Sequence, residues 1–405
     1  MPSFGTITVS SLAALFGVGG IYLRRRVSRD WIDYSKSSSG PSDLSSKGVI
    51  VVTGANAGLG YESAKEFAKR NATVVLACRD VPKAEEAADR IAKSISGGKA
   101  DRRGTDSSNN NDNDLADPLL SARDRLDCTM PPLDLASIDS VENFAEQLAA
   151  KYSQRGVYAL VCNAGVWMPM EQEKKTEDGY EIHFGVNHLG HVALIKAVVD
   201  RIMSKQKEDG RIVLVSSGLA KNGKLDMEKK DFVYNGRKVG SEQDGDDATS
   251  PDGDVSNDEN GRNNNKNKKK SHASFAPTGY CDSKLMNALT NRHLATKLGK
   301  TAPHVTAYAC CPGFCRSSLG RNVQFPFYKK LLLGPLMLMI QRTSAQGAQN
   351  IVHATLEDKD KLQSGGMYRD GKIAKDETEY MDSLDKDLPQ KLWDLSETLL
   401  SKRSK

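Results

Sequence analysis

Between its polar stretches this chain carries short apolar runs that do not alternate. Gly48–Thr53, Ala72–Cys78, Val157–Cys162 and Arg211–Val215 are each nearly continuous in Val, Ile, Leu and Ala. A strand covered on both faces reads this way, as in a parallel sheet sandwiched between helix layers. Leu126–Leu135 should hold a further strand, and Pro131 and Pro132 confine it to a sheet edge. Thr278–Leu298 reads as a helix. The pattern predicts α/β architecture: one domain over residues 47–400 with a doubly wound parallel sheet.

Two stretches break the pattern. Residues 96–125 are almost devoid of apolar side chains and contain Asn109-Asn110-Asn111-Asp112-Asn113-Asp114. Residues 240–272 hold eight acidic residues between Ser241 and Asn260, then five basic ones between Gly261 and Lys270. Such segments bury too little apolar surface to offset the entropy of ordering, and both read as disordered insertions. They also explain why only 38% of the 405 residues are hydrophobic. Without them, roughly 285 residues of the domain remain, a size that suits one α/β unit.

The net charge of +5 says little: apart from Arg24-Arg25-Arg26 and the 262–270 run the basic residues are scattered, with no aromatic-basic surface motif, which argues against nucleic acid. Seven cysteines, several inside predicted strands, read as buried reduced thiols. Cys310, Cys311 and Cys315 lack a zinc spacing, and His188 and His191 lack a third ligand nearby, so no metal site is expected.

Ile7–Leu23 is a 17-residue run without charge, followed at once by Arg24-Arg25-Arg26. That is near the lower limit for a spanning helix, roughly 17 residues. A cleaved signal carries its charge before the apolar run, not after it. Residues 1–29 are therefore read as an uncleaved membrane anchor and basic flank. The positive-inside rule then puts the remainder on the cytosolic side of the endoplasmic reticulum or another organelle. A cleaved signal or transit peptide is the alternative. Residues 30–46 read as a polar linker and 401–405 as a basic tail.

After the first strand comes Thr53-Gly54-Ala55-Asn56-Ala57-Gly58-Leu59-Gly60. The glycines allow a tight turn, close approach of backbone to a pyrophosphate and close helix packing, with the helix N-terminus aimed at the phosphates. Asn56 and Leu59 lie within that turn. Arg79 ends the second strand, nineteen residues after Gly60, where a charge should meet the adenosine ribose. A guanidinium there suits a 2′-phosphate, hence NADP(H). Asp80 beside it pulls the other way, and a solvated loop arginine is the plain alternative. Asp134 and Leu135 should border the adenine, and Asn163-Ala164-Gly165 should leave room for the cofactor.

Ser216-Ser217 closes the fifth predicted strand, at the sheet edge where ligands bind. Tyr280 and Lys284 lie four apart on one helix face. A nearby ammonium should lower the phenol from its ordinary value near ~10 and let it exchange protons near neutrality.

These elements, with Asn187 and Pro312-Gly313, resemble the short-chain dehydrogenase/reductases from about Lys47 to Leu400. The resemblance implies a Rossmann-type sheet of seven strands and hydride transfer between NADP(H) and an alcohol/carbonyl pair. It implies Tyr280 as acid/base, Ser217 holding the substrate oxygen, Lys284 on the ribose and Asn187 anchoring a water. It also places Ser317 against the nicotinamide amide. Ala77-Cys78-Arg79-Asp80, Val186–His191, Tyr280–Leu285 and Lys391–Ser396 are similar to the retinol dehydrogenase branch, often membrane-anchored. Protochlorophyllide reductases are similar over the same stretches but typically carry threonine where Ser217 stands. An inactive NADP-binding scaffold is a further alternative, against which all four catalytic residue types are present. Phe325–Tyr328 and Leu331–Ile340 suit a lipophilic substrate, and equally a core or homodimer contact.

Overall fold

The computed structural model describes residues 40–100, 118–169, 174–230, 233, 277–316, 319 and 341–402. The Ile7–Leu23 segment, Ser317, the 325–340 stretch, the basic tail beyond 402 and the centres of both polar insertions lie outside them. Among the described residues, no helix is long and apolar enough to cross a membrane.

Strands β1 (Val49–Thr53), β2 (Val74–Ala77), β3 (Leu126–Asp127), β4 (Val157–Cys162), β5 (Gly210–Val215), β6 (Val305–Cys310), β7 (Met367–Arg369) and β8 (Lys372–Ile373) form one sheet in the order β3-β2-β1-β4-β5-β6-β7-β8. The strands pair in parallel except β7 and β8, which are antiparallel. The winding reverses between β1 and β4, so the crevice for a ligand opens at their C-terminal ends.

Each apolar run is divided between two cores. Val49 and Val51 face one and Ile50 and Val52 the other, both sets fully buried. The period-two alternation is present, but both faces are covered, so it does not show in the sequence. The first core takes Phe144 and Leu148 from α4 (Ile138–Tyr152), Leu194 from α5 (Gly190–Val198), Leu289 from α6 (Thr278–Thr301) and Leu392 from α9 (Leu388–Ser401). The second takes Phe67 from α1 (Gly58–Lys69), Ile91 from α2 (Val81–Ala100) and Ile351 from α7 (Ser344–Leu356).

Four expectations need correction. The sheet has eight strands rather than seven. The eighth follows Asp370-Gly371, both with positive φ (52° and 71°), the two-residue turn that folds a chain straight back into a hairpin. Strand β3 stops at Asp127, so Pro131, Pro132, Asp134 and Leu135 lie in the loop after it. Its edge position is as expected. The first polar insertion is helical at both margins, where α2 runs to Ala100 and α3 covers Pro118–Arg123. The linker docks at its end: Leu44 is 1% exposed, and its N–H donates to Arg70 O at 2.7 Å.

Candidate active site

The glycine turn leaves β1 at Thr53. Gly54 takes φ +66°, a conformation that side chains disfavour. A Cβ on Gly60 would lie 2.4 Å from Gly54 O and 2.6 Å from Asn163 Nδ2, so only glycine lets α1 start this close to the turn. No side chain caps α1 and no acid sits in its first turn, so its N–H groups face the crevice without competition. Asn56 receives a weak contact from Cys78 Sγ at 3.9 Å. Leu59 packs on the second core, and a Cβ on Gly347 would come within 2.7 Å of its Cδ2.

Thr53 binds the turn to the neighbouring strand. Its Oγ1 accepts from the N–H of Asn163 and of Ala164, both at 2.9 Å. It lies 3.0 Å from His191 Nε2, and His191 Nδ1 lies 3.1 Å from Asn187 O. A carbonyl only accepts, so Nδ1 carries the proton and Thr53 donates to Nε2. Burial pulls His191 down to about 4, which keeps it neutral. Asn163 Nδ2 closes the ring by donating to Thr53 O at 2.9 Å.

Asn187 lies in a widened, π-type turn, Phe184–Leu189, that leads into α5. Its Oδ1 accepts from Val166 N at 2.7 Å, and its Nδ2 donates to Val166 O and Ser283 Oγ, both at 3.0 Å. The expected water-anchoring role is therefore not one for the side chain, whose amide is spent on the loop after Gly165 and on α6. A Cβ on Gly165 would sit 3.1 Å from Asn187 Oδ1 and 3.7 Å from Lys284 Nζ, which places the three together.

The ends of β5 and α6 are joined by hydrogen bonds. Ser216 Oγ donates to Lys284 O at 2.7 Å, so this serine is structural. Ser217 Oγ accepts from Leu219 N at 3.2 Å, capping the turn Gly218–Asn222, and its hydroxyl is near enough to Tyr280 to act on the phenol. Lys284, 4% exposed, donates from Nζ to Val215 O at 3.0 Å and lies 5.6 Å from the centroid of the Tyr280 ring. Burial pulls its ammonium down to about 8.

The phenol does not behave as expected in this arrangement. Burial pushes Tyr280 above its ordinary value, reinforced by the Cys311 thiol and opposed by the hydrogen bond to Ser217. Lys284 does not reverse this, its own ammonium being disfavoured by the same burial. Tyr280 thus holds its proton, the form able to give one away.

At the ribose end, the Arg79 side chain is 71% exposed and its Nη1 lies 3.7 Å from Asp134 Oδ2. Asp80 is otherwise engaged: it accepts from Lys83 N at 3.1 Å and pairs with the Lys83 ammonium, which holds its carboxyl below the usual range. The Leu135 carbonyl abuts Gly190, where a Cβ would come within 2.5 Å, so Leu135 braces α5. After β6, Pro312 O accepts from Cys315 Sγ at 3.1 Å. Gly313 beside it packs on the Arg342 guanidinium, which forms a two-pronged pair with Asp370 at 2.6 and 2.7 Å.

The residue types alone did not point to several participants. Trp167 stacks on Tyr280, with ring centroids 5.2 Å apart and planes at 18°. Asp282, raised to about 6 by burial, accepts from Lys224 N at 2.7 Å. His188 and His191 diverge to Ser396 and Thr53. Among the described residues, no cluster of three metal-ligating side chains occurs. All seven cysteines are free, and six are buried.

The chain is similar to known proteins. The model of the family described as short chain dehydrogenase matches residues 48–128 and 108–229. Retinol dehydrogenase 14 of Mus musculus is 30% identical over 98% of this chain and 98% of its own length. The chain belongs to the short-chain dehydrogenase family and is retinol dehydrogenase-like. Retinol dehydrogenase 12 of Mus musculus is 32% identical over 80% of the chain and 78% of its own length. Among solved structures, an uncharacterized protein of Mycobacterium paratuberculosis superposes with TM-score 0.53 at 22% identity, covering 89% of this chain and 95% of its own, a likeness of fold alone. The family makes the chain an oxidoreductase built for a nicotinamide cofactor.

Thr53 gives a test. Thr53→Val keeps the shape but leaves the Ala164 N–H and His191 Nε2 without this partner, and the Asn163 N–H with the Val161 carbonyl alone. We expect a loss of at least about 2 kcal/mol in urea unfolding and weaker NADPH binding by fluorescence titration. A variant as stable as wild type would show that the hydroxyl is not the joint.

Proposed function

We propose that this chain interconverts an alcohol and a carbonyl on a lipophilic substrate with NADP(H), using Tyr280 as proton donor and acceptor. The observation that carries the reading is the convergence of Ser217, Tyr280 and Lys284 at the ends of β5 and α6, next to Gly165 and the glycine turn. The cradle at Gly54 and Gly60 and the uncapped start of α1 fit a dinucleotide pyrophosphate. When bound, the nicotinamide supplies or takes up the hydride. Ser217 holds the substrate oxygen by hydrogen bond. In reduction, the protonated phenol of Tyr280 delivers H⁺ to that oxygen. In oxidation it takes H⁺ back, with Lys284 offsetting the phenolate charge. Arg79 pairs with a 2′-phosphate, a reading supported by the engagement of Asp80 at α2. The retinol dehydrogenase names of the relatives favour a lipophilic substrate. The Ile7–Leu23 segment followed by arginines favours an anchor that leaves the domain in the cytosol.

Turnover tests the assignment. Tyr280→Phe should bind NADPH as wild type does and reduce carbonyls at least ~100-fold more slowly. Undiminished turnover would remove Tyr280 from the mechanism, and a wild-type chain that reduces only small polar carbonyls would overturn the lipophilic substrate.

Arg79→Asp should shift the ratio of kcat/KM values toward NADH by at least about tenfold, the scale of one lost charge-assisted contact. An unchanged ratio would mean that the 2′-phosphate is read elsewhere.

Deleting residues 1–29 should move the protein from the membrane pellet to the soluble fraction. Retention in the pellet would rule out that segment as the anchor.

A further inference from the structure

Tyr280 stands in the first turn of α6, which begins at Thr278. Helical side chains lean toward the N-terminus, onto the turn before their own. Tyr280 has no such turn beneath it, so its ring must be held from elsewhere. Two rings do so. The Trp167 indole lies flat on it at 5.2 Å, and the His183 imidazole meets it edge-on at 6.4 Å and 78°.

Both rings belong to one hydrogen-bonded assembly. The Met168 N–H donates to His183 Nε2 at 3.0 Å, so that nitrogen is an acceptor and the proton sits on Nδ1. Nδ1 donates to Glu181 Oε1 at 2.6 Å. The other carboxylate oxygen accepts from Phe184 N at 2.7 Å, at the start of the turn that carries Asn187. Gly279 gives the pair room, since a Cβ there would lie 3.0 Å from His183 Nδ1 and 3.3 Å from Glu181 Oε1. A carboxylate thus fixes the tautomer of an imidazole, the imidazole fixes the backbone next to Trp167, and the indole fixes the plane of the phenol.

We infer that Glu181 and His183 are positioning residues for Tyr280, acting through the Trp167 wall. The inference rests on Tyr280 being the acid/base group. Misplacing a reacting group by an ångström can cost a hundredfold, so a loosened wall should lower kcat and leave cofactor binding alone.

The test is a double-mutant cycle with rescue in the full chain. His183→Ala and Trp167→Ala should each lower kcat by roughly tenfold, with KM for NADPH within about twofold of wild type. The double variant should lose less than the product of the two single losses, because His183 acts in part through the backbone that carries Trp167. His183→Gln should regain most of the rate, since its amide oxygen can accept from the Met168 N–H. Wild-type kcat in His183→Ala, additive losses in the double variant, or no recovery with Gln would each overturn the inference. Should His183→Ala not fold, the comparison passes to Trp167→Phe, which keeps a flat ring on the phenol. It should retain at least half the rate that Trp167→Ala loses, and equal losses would overturn the inference. Tyr280→Phe separates the two claims. If it turns over normally, the acid/base reading falls. If it is inactive while His183→Ala is unimpaired, only the positioning role falls.

Discussion

The hydroxyl of Thr53 is the joint on which the site depends. It accepts two backbone N–H groups of the β4 loop and donates to a neutral, buried His191. Its hydrogen-bonding capacity is used in full, and each of these groups left unmade inside the protein would cost about 1–3 kcal/mol. Because His191 in turn donates to the Asn187 carbonyl, the joint reaches beyond the nucleotide half. Asn187 clamps Val166 and Ser283, and Ser283 Oγ donates to Tyr280 O at 2.8 Å. One chain of hydrogen-bonded polar groups thus runs from the glycine turn to the helix that carries Tyr280. Such a network is rigid because no member can turn away without stranding a neighbour.

That rigidity shapes the electrostatics. An ammonium and a phenol are both buried at one sheet edge, and burial disfavours the charged form of each. It pulls Lys284 down to about 8 and pushes Tyr280 up. Lys284 donates a hydrogen bond to the Val215 carbonyl, and Ser217 opposes the upward push on the phenol. The protein alone therefore holds a neutral acid beside a cation that loses its charge only in mildly basic solution. A carbonyl oxygen arriving between Ser217 and Tyr280 would meet a proton donor already in the correct form.

The sequence made the sheet legible because its runs are apolar on both faces, and its glycines, Asn163, Ser217, Tyr280 and Lys284 pointed to a candidate site because they are the residue types the proposed chemistry needs. The rest was hidden for identifiable reasons. The hairpin at Asp370-Gly371 carries a recognisable turn dipeptide, but it adds only two residues to a sheet already complete by resemblance. Trp167, Glu181 and His183 act through contacts between residues far apart in the chain, and nothing about a lone Trp or a Glu-Ile-His triplet announces them. Four-residue spacing shows that Tyr280 and Lys284 share a face, but not how deeply both are buried, and burial is what sets the phenol. At Asn187 the residue was expected and its partners were not.

Two arginines show why geometry has to be read beside residue type. Arg342 holds Asp370 through two short bonds on a largely buried pair, and its N–H and C=O pair with Phe314 and Arg316. It is a strut under the Pro312-Gly313 turn, and any anion would have to displace a bidentate carboxylate to reach it. Arg79 meets Asp134 through one contact at 3.7 Å while mostly in water, a pairing that contributes little. Its neighbour Asp80, the residue that would turn a phosphate away, has both oxygens turned to Lys83. A guanidinium held that loosely, with the adjacent Asp80 carboxylate committed to Lys83, stays open to another anion. The same side chain is thus fixed structure at one position and available charge at the other, and the spacing of the partner oxygens decides which.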